Sequence, residues 1–186
     1  MIRTAPLEQA ELAIIGAGCA GLSLARQLVR TEKTSSIKAC LYGPVSPAAT
    51  NRHSWGFWAT QGLKEQTELA RQRWHKWQII TAERKVTQTA DSHPYCRLDS
   101  RDWLTHCLNI IDGNIQQEPD NLPTTSAKPV FDSRPPNVPD GAMLQHFKGV
   151  EIKTAQPCFS PDTAILMDFR CDQSRGIHFI YLLPYS

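Results

Sequence analysis

The sequence predicts an α/β fold in which a Rossmann-like, three-layer dinucleotide-binding domain adjoins an incomplete antiparallel β-sheet. The first reason is an apolar segment that runs directly into the glycine pattern Gly16-x-Gly18-x-x-Gly21. The second is that helical periodicity follows, and another apolar segment at 35–42 then completes a βαβ unit. The third is a set of strand-like runs near the end of the chain, separated by turn residues.

The glycine pattern is the strongest functional signal in the chain. Gly16 allows a tight strand-to-helix turn, Gly18 leaves room for a pyrophosphate, and Gly21 lets the helix lie close to the sheet. The start of the helix offers free N–H groups and a partial positive charge to phosphates. The alternative is a glycine-rich turn with no ligand. The predicted cofactor-binding residues are Gly16, Ala17, Gly18, Cys19, Ala20 and Gly21.

The end of the second predicted strand departs from the dinucleotide-binding pattern. An Asp or Glu usually binds the adenosine ribose there, but this chain has Gly43-Pro44. The departure is expected to weaken cofactor affinity without removing the phosphate site. Residues 43–62 are then predicted to form a loop rich in aromatic residues, either a hydrophobic lid on the core or a ligand contact.

The rest of the chain divides into three predicted parts. Residues 1–110 form the N-terminal part of the dinucleotide-binding domain, 111–140 a proline-rich connection with a short strand, and 141–186 an incomplete β-rich substrate domain. Helices are predicted at 63–73 and from Ser100 onward. The predicted strands are residues 74–80, the segment before Asp132, and residues 144–152, 164–169 and 177–183.

Composition excludes several function classes. The chain has 186 residues, 41% hydrophobic and 20% charged, with a net charge of +2, which gives no reason to expect a nucleic-acid partner. Its six cysteines form no CxxC pair, and none of its six histidines has a suitably spaced partner, so no metal site is predicted. No signal peptide or membrane-spanning run is apparent, and we expect a cytoplasmic location.

Two carboxylates stand out as candidates for chemistry. Asp168 lies between apolar neighbours, where its pKa could rise, and is the best candidate within the chain for a functional carboxylate. Pairing with Arg170 or Arg175 is the structural alternative. Asp132 with Arg134 either steadies a turn near the cofactor or forms a solvated surface pair.

The residues resemble those of the flavoprotein lycopene cyclases of carotenoid synthesis, and the resemblance covers nearly the whole chain except about 110–128. It depends on an ordered set of motifs, of which the glycine turn is the least specific. The other segments are His53-Ser-Trp-Gly-Phe-Trp58, Tyr95-x-Arg97-Leu98, Val130-Phe-Asp-Ser-Arg134, Gln145-His-Phe-Lys-Gly149, Leu166-Met-Asp-Phe-Arg170 with Gln173, and Phe179-Ile-Tyr-Leu-Leu-Pro184.

The resemblance implies a redox-neutral, acid-catalysed cyclisation of the acyclic ends of lycopene to β-ionone rings. It implies FAD in its reduced form, kept reduced by NAD(P)H, and peripheral membrane contact because lycopene is insoluble in water. The intermediate carbocation requires a dry pocket with π-rich walls. Aromatic residues that would suit either such a pocket or a core are Trp55, Phe57, Trp58, Phe179 and Tyr181.

The resemblance also implies that the chain is the N-terminal part of such an enzyme. The family's key acid is expected beyond Ser186, and the region between Leu108 and Val130 is expected to be shortened. Truncation before the catalytic acid is therefore the expectation. The alternatives are a non-catalytic remnant that binds a nucleotide cofactor, or another FAD-dependent oxidoreductase that acts on an apolar substrate.

Overall fold

The computed structural model describes residues 10–44, 53–118 and 129–185. Contacts divide the chain into two compact units, which we call unit 1 (Met1–His53 and Ser100–Ala142) and unit 2 (Ser54–Asp99 and Met143–Ser186). Residues 54–99, which the sequence analysis assigned to the N-terminal domain, thus pack within unit 2. The functional domain boundaries predicted from the sequence stay a prediction.

The residues that the structure describes alternate short strands with three helices. A 3-10 turn at Gln61–Leu63 precedes the second helix. In chain order the elements are β1 (Leu12–Ile15), α1 (Cys19–Arg30), β2 (Ala39–Tyr42), β3 (Ser54–Trp58), α2 (Lys64–Glu68), β4 (Gln72–Trp74), β5 (Lys76–Ile80), β6 (Lys85–Thr89), β7 (Tyr95–Asp99), α3 (Ser100–Ile111), β8 (Gln116–Glu118), β9 (Val130–Asp132), β10 (Thr163–Asp168) and β11 (Ile180–Leu182).

Unit 1 contains a four-stranded parallel sheet in the order β8-β2-β1-β9. Numbered along the chain within this sheet, the order is 3-2-1-4, which is that of Rossmann-type sheets. Every residue of β1 and β2 is buried, as expected for apolar strands at the centre of a parallel sheet. The predicted βαβ unit is confirmed, although its second strand is shorter than the predicted 35–42.

Helices α1 and α3 pack against each other in unit 1. The indole N–H of Trp103 donates to Ser23 Oγ at 2.9 Å, and the Arg26 guanidinium lies 5.2 Å from the centre of the Trp103 ring. Both helices were predicted from their apolar periodicity. This contact stabilises α1, the helix that begins at the glycine turn.

Unit 2 contains two sheets. The order β3-β7-β4 is antiparallel throughout, whereas β11-β10-β5-β6 is mixed because β10 runs parallel to β5. The predicted α/β class is confirmed, with both parallel and antiparallel sheets; the three-layer arrangement stays a prediction. The predicted loop at 43–62 is wrong for 54–58, because its aromatic residues form β3 and pair with β7.

Two other predictions of secondary structure are wrong. Residues 144–152 form no strand, and Phe147 and Ile152 are 91% and 75% exposed. Alternating apolar residues make a strand only where a neighbour takes up the backbone hydrogen bonds, and no described strand lies beside this segment. The helix predicted at 63–73 ends at Glu68, since Gln72–Trp74 pairs with β7.

Candidate functional site

The glycine turn joins the carboxyl end of β1 to the start of α1. Gly16 has φ +98°, a conformation that favours glycine, and its N–H donates to the carbonyl of Tyr42 at the end of β2. Gly18 is the N-cap of α1, and its carbonyl accepts the N–H of Leu22 at 3.0 Å. The turn therefore lies where the carboxyl ends of β1 and β2 meet.

Gly16 and Gly21 are required by packing inside the protein. A Cβ on Gly21 would overlap the carbonyl oxygen of Gly16, and a Cβ on Gly16 would lie 2.5 Å from Ser133 Oγ. The Ser133 hydroxyl is within hydrogen-bond distance of the carbonyl oxygens of Ile15 (2.9 Å) and Gly16 (3.1 Å). These contacts hold the first turn of α1 and the end of β9 tightly against the end of β1.

Gly18 differs from its two neighbours in the pattern. Its backbone is extended, with φ −85° and ψ −164°, so any residue can adopt it. A Cβ on Gly18 would meet nothing within 4 Å. The fold itself does not require glycine here, but a ligand lying against the backbone would. The first turn of α1 has no acidic side chain, and its N–H groups have no acceptor within the helix, so this position suits an anion.

The end of β9 adds a charged pair beside the turn. Order 3-2-1-4 places the point where the connections change direction between β1 and β9, which is where ligands bind in open α/β sheets. Asp132 ends β9 and accepts hydrogen bonds from the Arg134 guanidinium, the shortest 2.7 Å. These hydrogen bonds lower the pKa of Asp132 to about 2. The pair predicted from sequence forms, and it forms next to the glycine turn.

The end of β2 has no carboxylate, as the sequence indicated. Gly43 has φ +122°, and a Cβ there would lie 3.4 Å from the backbone nitrogen of Ala17. Its N–H donates to the carbonyl of Glu118, the last residue of β8. The sequence missed β8 because it is a short polar strand at the edge of the sheet, with no apolar pattern to reveal it.

A cavity of about 260 Å³ lies between α1 and β9. Ala20, Gly21 and Leu24 form its helix side, and Ile14 with 131–133 forms its sheet side. Its lining is mainly apolar, apart from Asp132 and Ser133. It extends from the first turn of α1 along the face of the sheet.

Asp168 is not the raised-pKa acid that its apolar neighbours suggested. Its carboxylate accepts two hydrogen bonds from the Arg170 guanidinium, at 2.9 and 2.6 Å, and these lower its pKa to about 2. The alternative of a structural ion pair with Arg170 is the one observed. At neutral pH, Asp168 is ionised and has no proton to donate.

The five aromatic residues predicted to suit a pocket do not converge. Trp55 and Phe57 lie on one face of β3, and Trp58 on the other. Trp58 contacts Tyr95, with ring centres 5.0 Å apart, and the Tyr181 hydroxyl donates to that of Tyr95 at 2.7 Å. Phe179 instead packs against Phe169, with ring centres 5.6 Å apart.

Sequence reasoning missed two buried polar groups. Asp99, at the end of β7, is 1% exposed, and only its position at the end of an alternating strand could have drawn attention to it. Tyr42 is fully buried, and its hydroxyl makes no hydrogen bond of normal geometry to another of the described residues, although the Cys40 thiol lies near it. Burial, and after it the neighbouring Cys40 thiol, raises the pKa of Tyr42 to about 12. In the described ranges, no group of His, Cys, Asp or Glu side chains could hold a metal ion.

The fold and site define the class of the protein. The parallel sheet, the glycine-rich βα turn and the charged pair at the end of β9 are those of an α/β protein with a Rossmann-type N-terminal unit. The chain belongs to the lycopene cyclase family, whose sequence model, described as lycopene cyclase protein, matches residues 11–114 and 112–186. The suspected family is confirmed.

Solved structures resemble parts of the chain at low identity. PqsL of P. aeruginosa, in complex with 2-aminobenzoylacetate, is 16% identical with a TM-score of 0.46, covering 59% of this chain and 33% of PqsL. CtdE in complex with FAD is 13% identical with a TM-score of 0.36, covering 59% and 30%. The tetracycline destructase Tet(55) is 14% identical with a TM-score of 0.37, covering 63% and 31%.

The chain spans about a third of the length of each of these structures. No curated protein sequence matches it significantly. Within the described ranges, no helix has both the length and the apolar character needed to cross a membrane.

Proposed function

We propose that this chain forms the FAD-binding part of a flavin-dependent lycopene cyclase. The observation that carries the proposal concerns Gly18. Its backbone conformation is open to any residue and a Cβ there would meet nothing, so packing within the fold does not explain a glycine at this position. A diphosphate lying against the start of α1 does explain it, because a side chain would occupy the same space. Membership of the lycopene cyclase family supports the choice of FAD and of a carotenoid substrate.

The chain's own groups would hold the cofactor through main-chain contacts. The N–H groups of Cys19, Ala20 and Gly21 begin α1, whose first turn carries no acidic side chain. Gly16 and Gly21 let the start of α1 pack directly against the end of β1. When bound in its reduced form, the flavin supplies an electron-rich ring that assists ring closure without net oxidation.

The proposed reaction is acid-catalysed closure of the acyclic ends of lycopene to β-ionone rings, with NAD(P)H keeping the flavin reduced. A proton is added to the end of the polyene, a neighbouring double bond attacks the resulting carbocation to form the C–C bond of the ring, and loss of a proton next to the new cationic carbon gives the ring alkene. Asp168 is not the proton donor in this proposal, because Arg170 keeps it ionised. Peripheral membrane contact is part of the proposal, on the ground that lycopene is insoluble in water. A cytoplasmic location is proposed as the sequence predicts it.

Two measurements test the proposal. Equilibrium dialysis with FAD is expected to show binding to the chain, and Gly18→Val is expected to abolish it, because the valine side chain fills the space left for the diphosphate. Expression in lycopene-accumulating bacteria, with carotenoids separated by chromatography, tests cyclisation. FAD binding with unchanged lycopene is the expected result for this chain alone, because Arg170 keeps Asp168 ionised and no other residue of the chain is proposed as the proton donor. Cyclic carotenoids would contradict that expectation, and absence of FAD binding refutes the cofactor site.

A further inference from the structure

Arg134 lies beside the glycine turn. A Cβ on Gly16 would be 3.7 Å from both the Cγ and the backbone nitrogen of Arg134, so the arginine side chain starts next to the end of β1. Ser133, the residue before it, contacts the carbonyl oxygens of Ile15 and Gly16. The position of Arg134 is thereby fixed relative to the turn.

The guanidinium of Arg134 is held in place by Asp132. Nε lies 2.9 and 3.2 Å from the two carboxylate oxygens, Nη2 lies 2.7 Å from Oδ2, and the backbone N–H also donates to Oδ1 at 3.0 Å. The arginine side chain is 51% exposed, so a ligand can reach it. A guanidinium has five N–H donors, and the donors on Nη1 are not used by Asp132.

We infer that Arg134 binds the diphosphate of the dinucleotide at the glycine turn, and that Asp132 orients it for this contact. The inference rests on the proposed function. A guanidinium that is already fixed loses little freedom when it binds a phosphate, and its remaining N–H groups match the spacing of phosphate oxygens. Without Arg134, the carboxylate of Asp132 would repel the same diphosphate.

Unit 2 contains the same ion pair without the glycine turn. Asp168 ends β10, and Arg170 donates to it through its backbone N–H at 3.1 Å, Nε at 2.9 Å and Nη2 at 2.6 Å. The same Asp-x-Arg ion pair therefore ends a strand in both units. Arg134 lies beside Gly16 and the glycine turn, whereas Arg170 does not, so Arg170 is the matched control for Arg134.

The experiment measures the dissociation constants of FAD, ADP and adenosine for the wild type, Arg134→Ala, Arg134→Lys and Arg170→Ala. We expect Arg134→Ala to weaken FAD and ADP binding at least tenfold and to leave adenosine binding unchanged. Arg134→Lys should recover part of the loss, because it keeps the charge but not the forked geometry. The salt dependence of FAD binding should also become shallower in Arg134→Ala, whereas Arg170→Ala should match the wild type.

A double variant, Asp132→Asn with Arg134→Ala, separates loss of the guanidinium from exposure of a bare carboxylate. It should still bind FAD at least tenfold more weakly than the wild type. Circular dichroism of each variant checks that the fold is intact. The inference is overturned if Gly18→Val abolishes FAD binding while Arg134→Ala leaves it unchanged, or if Arg170→Ala weakens it equally. If the wild type binds neither FAD nor ADP, the proposed function and the inference both fail.

Discussion

A single added methyl group at Gly21 should destabilise unit 1. Inside a helix, alanine is normally about 1 kcal/mol better than glycine, so the intrinsic effect is stabilising. Here the new Cβ would overlap the carbonyl oxygen of Gly16. Gly16 cannot easily move aside, because its N–H donates to the Tyr42 carbonyl at 2.8 Å and its own carbonyl oxygen lies 3.1 Å from the Ser133 hydroxyl. Overpacking against main chain outweighs the helix preference, and we expect a net loss of about 2 kcal/mol.

The same substitution at Gly18 is the matched comparison. The backbone there is allowed for alanine, and a Cβ meets nothing within 4 Å. Alanine gains from the lower entropy of the unfolded chain but is a clearly poorer N-cap than glycine, so the two effects of similar size roughly cancel, to within about 0.5 kcal/mol. Gly18→Ala should therefore weaken FAD binding while leaving stability nearly unchanged.

Urea unfolding followed by fluorine NMR measures both effects. Trp103 is the only tryptophan in the sequence of unit 1, so 5-fluorotryptophan gives it a separate signal, assigned with a Trp103→Phe variant. The reasoning is refuted if Gly21→Ala unfolds at the wild-type urea concentration. It is also refuted if Gly18→Ala loses as much stability as Gly21→Ala.

Three further predictions concern buried or paired groups. Tyr42→Phe should raise the free energy of unfolding by about 1 kcal/mol, because the buried hydroxyl makes no hydrogen bond of normal geometry to another of the described residues. Trp74→Phe should lower it by about 2 kcal/mol, because the fully buried indole donates to the Pro184 carbonyl at 2.9 Å. The pKa of Asp168 is lowered to about 2, so the stability from its pairing with Arg170 is present above its unfolded pKa of about 3.9 and is lost as the pH falls towards 2.

Each of these predictions has a direct check. Urea titrations of the tyrosine and tryptophan variants give the two free energies, with Trp77→Phe as the control at a partly buried indole. A loss of stability in Tyr42→Phe, or no loss in Trp74→Phe, contradicts the assigned contacts. Carbon-detected NMR titration follows the Asp168 carboxyl. An unchanged midpoint in Arg170→Ala contradicts the pairing, since removal of the guanidinium should return the pKa towards its ordinary value.

The sequence predicts the elements whose signals are local. An apolar run ending in glycines specifies β1, the turn and α1, and the same reasoning finds α3, β9 and β10. The position of the candidate cofactor site follows from these elements alone. Gly16 and Gly21 have a packing role that the sequence pattern indicated and the structure explains.

Features that depend on distant partners could not be predicted. β3 forms because β7 pairs with it. Residues 144–152 do not form a strand, because no strand among the described residues pairs with them. The pKa of Asp168 depends on whether the arginine two residues later folds back, and apolar neighbours give no information about that choice. The position of Arg134 beside Gly16 likewise depends on β9 pairing with β1, over more than a hundred residues of chain.

Mapping FAD onto the backbone amides by NMR tests the central claim most directly. On titration with FAD, the amide signals of Gly16, Gly18, Cys19 and Ala20 should shift most. The amide signals of β10 and β11 in unit 2 should stay unchanged, because the diphosphate does not contact these strands. In Gly18→Val, the shifts at the glycine turn should be lost. If FAD shifts no amide signal in 16–21, or shifts them equally in Gly18→Val, the diphosphate does not bind at the start of α1 and the account is contradicted.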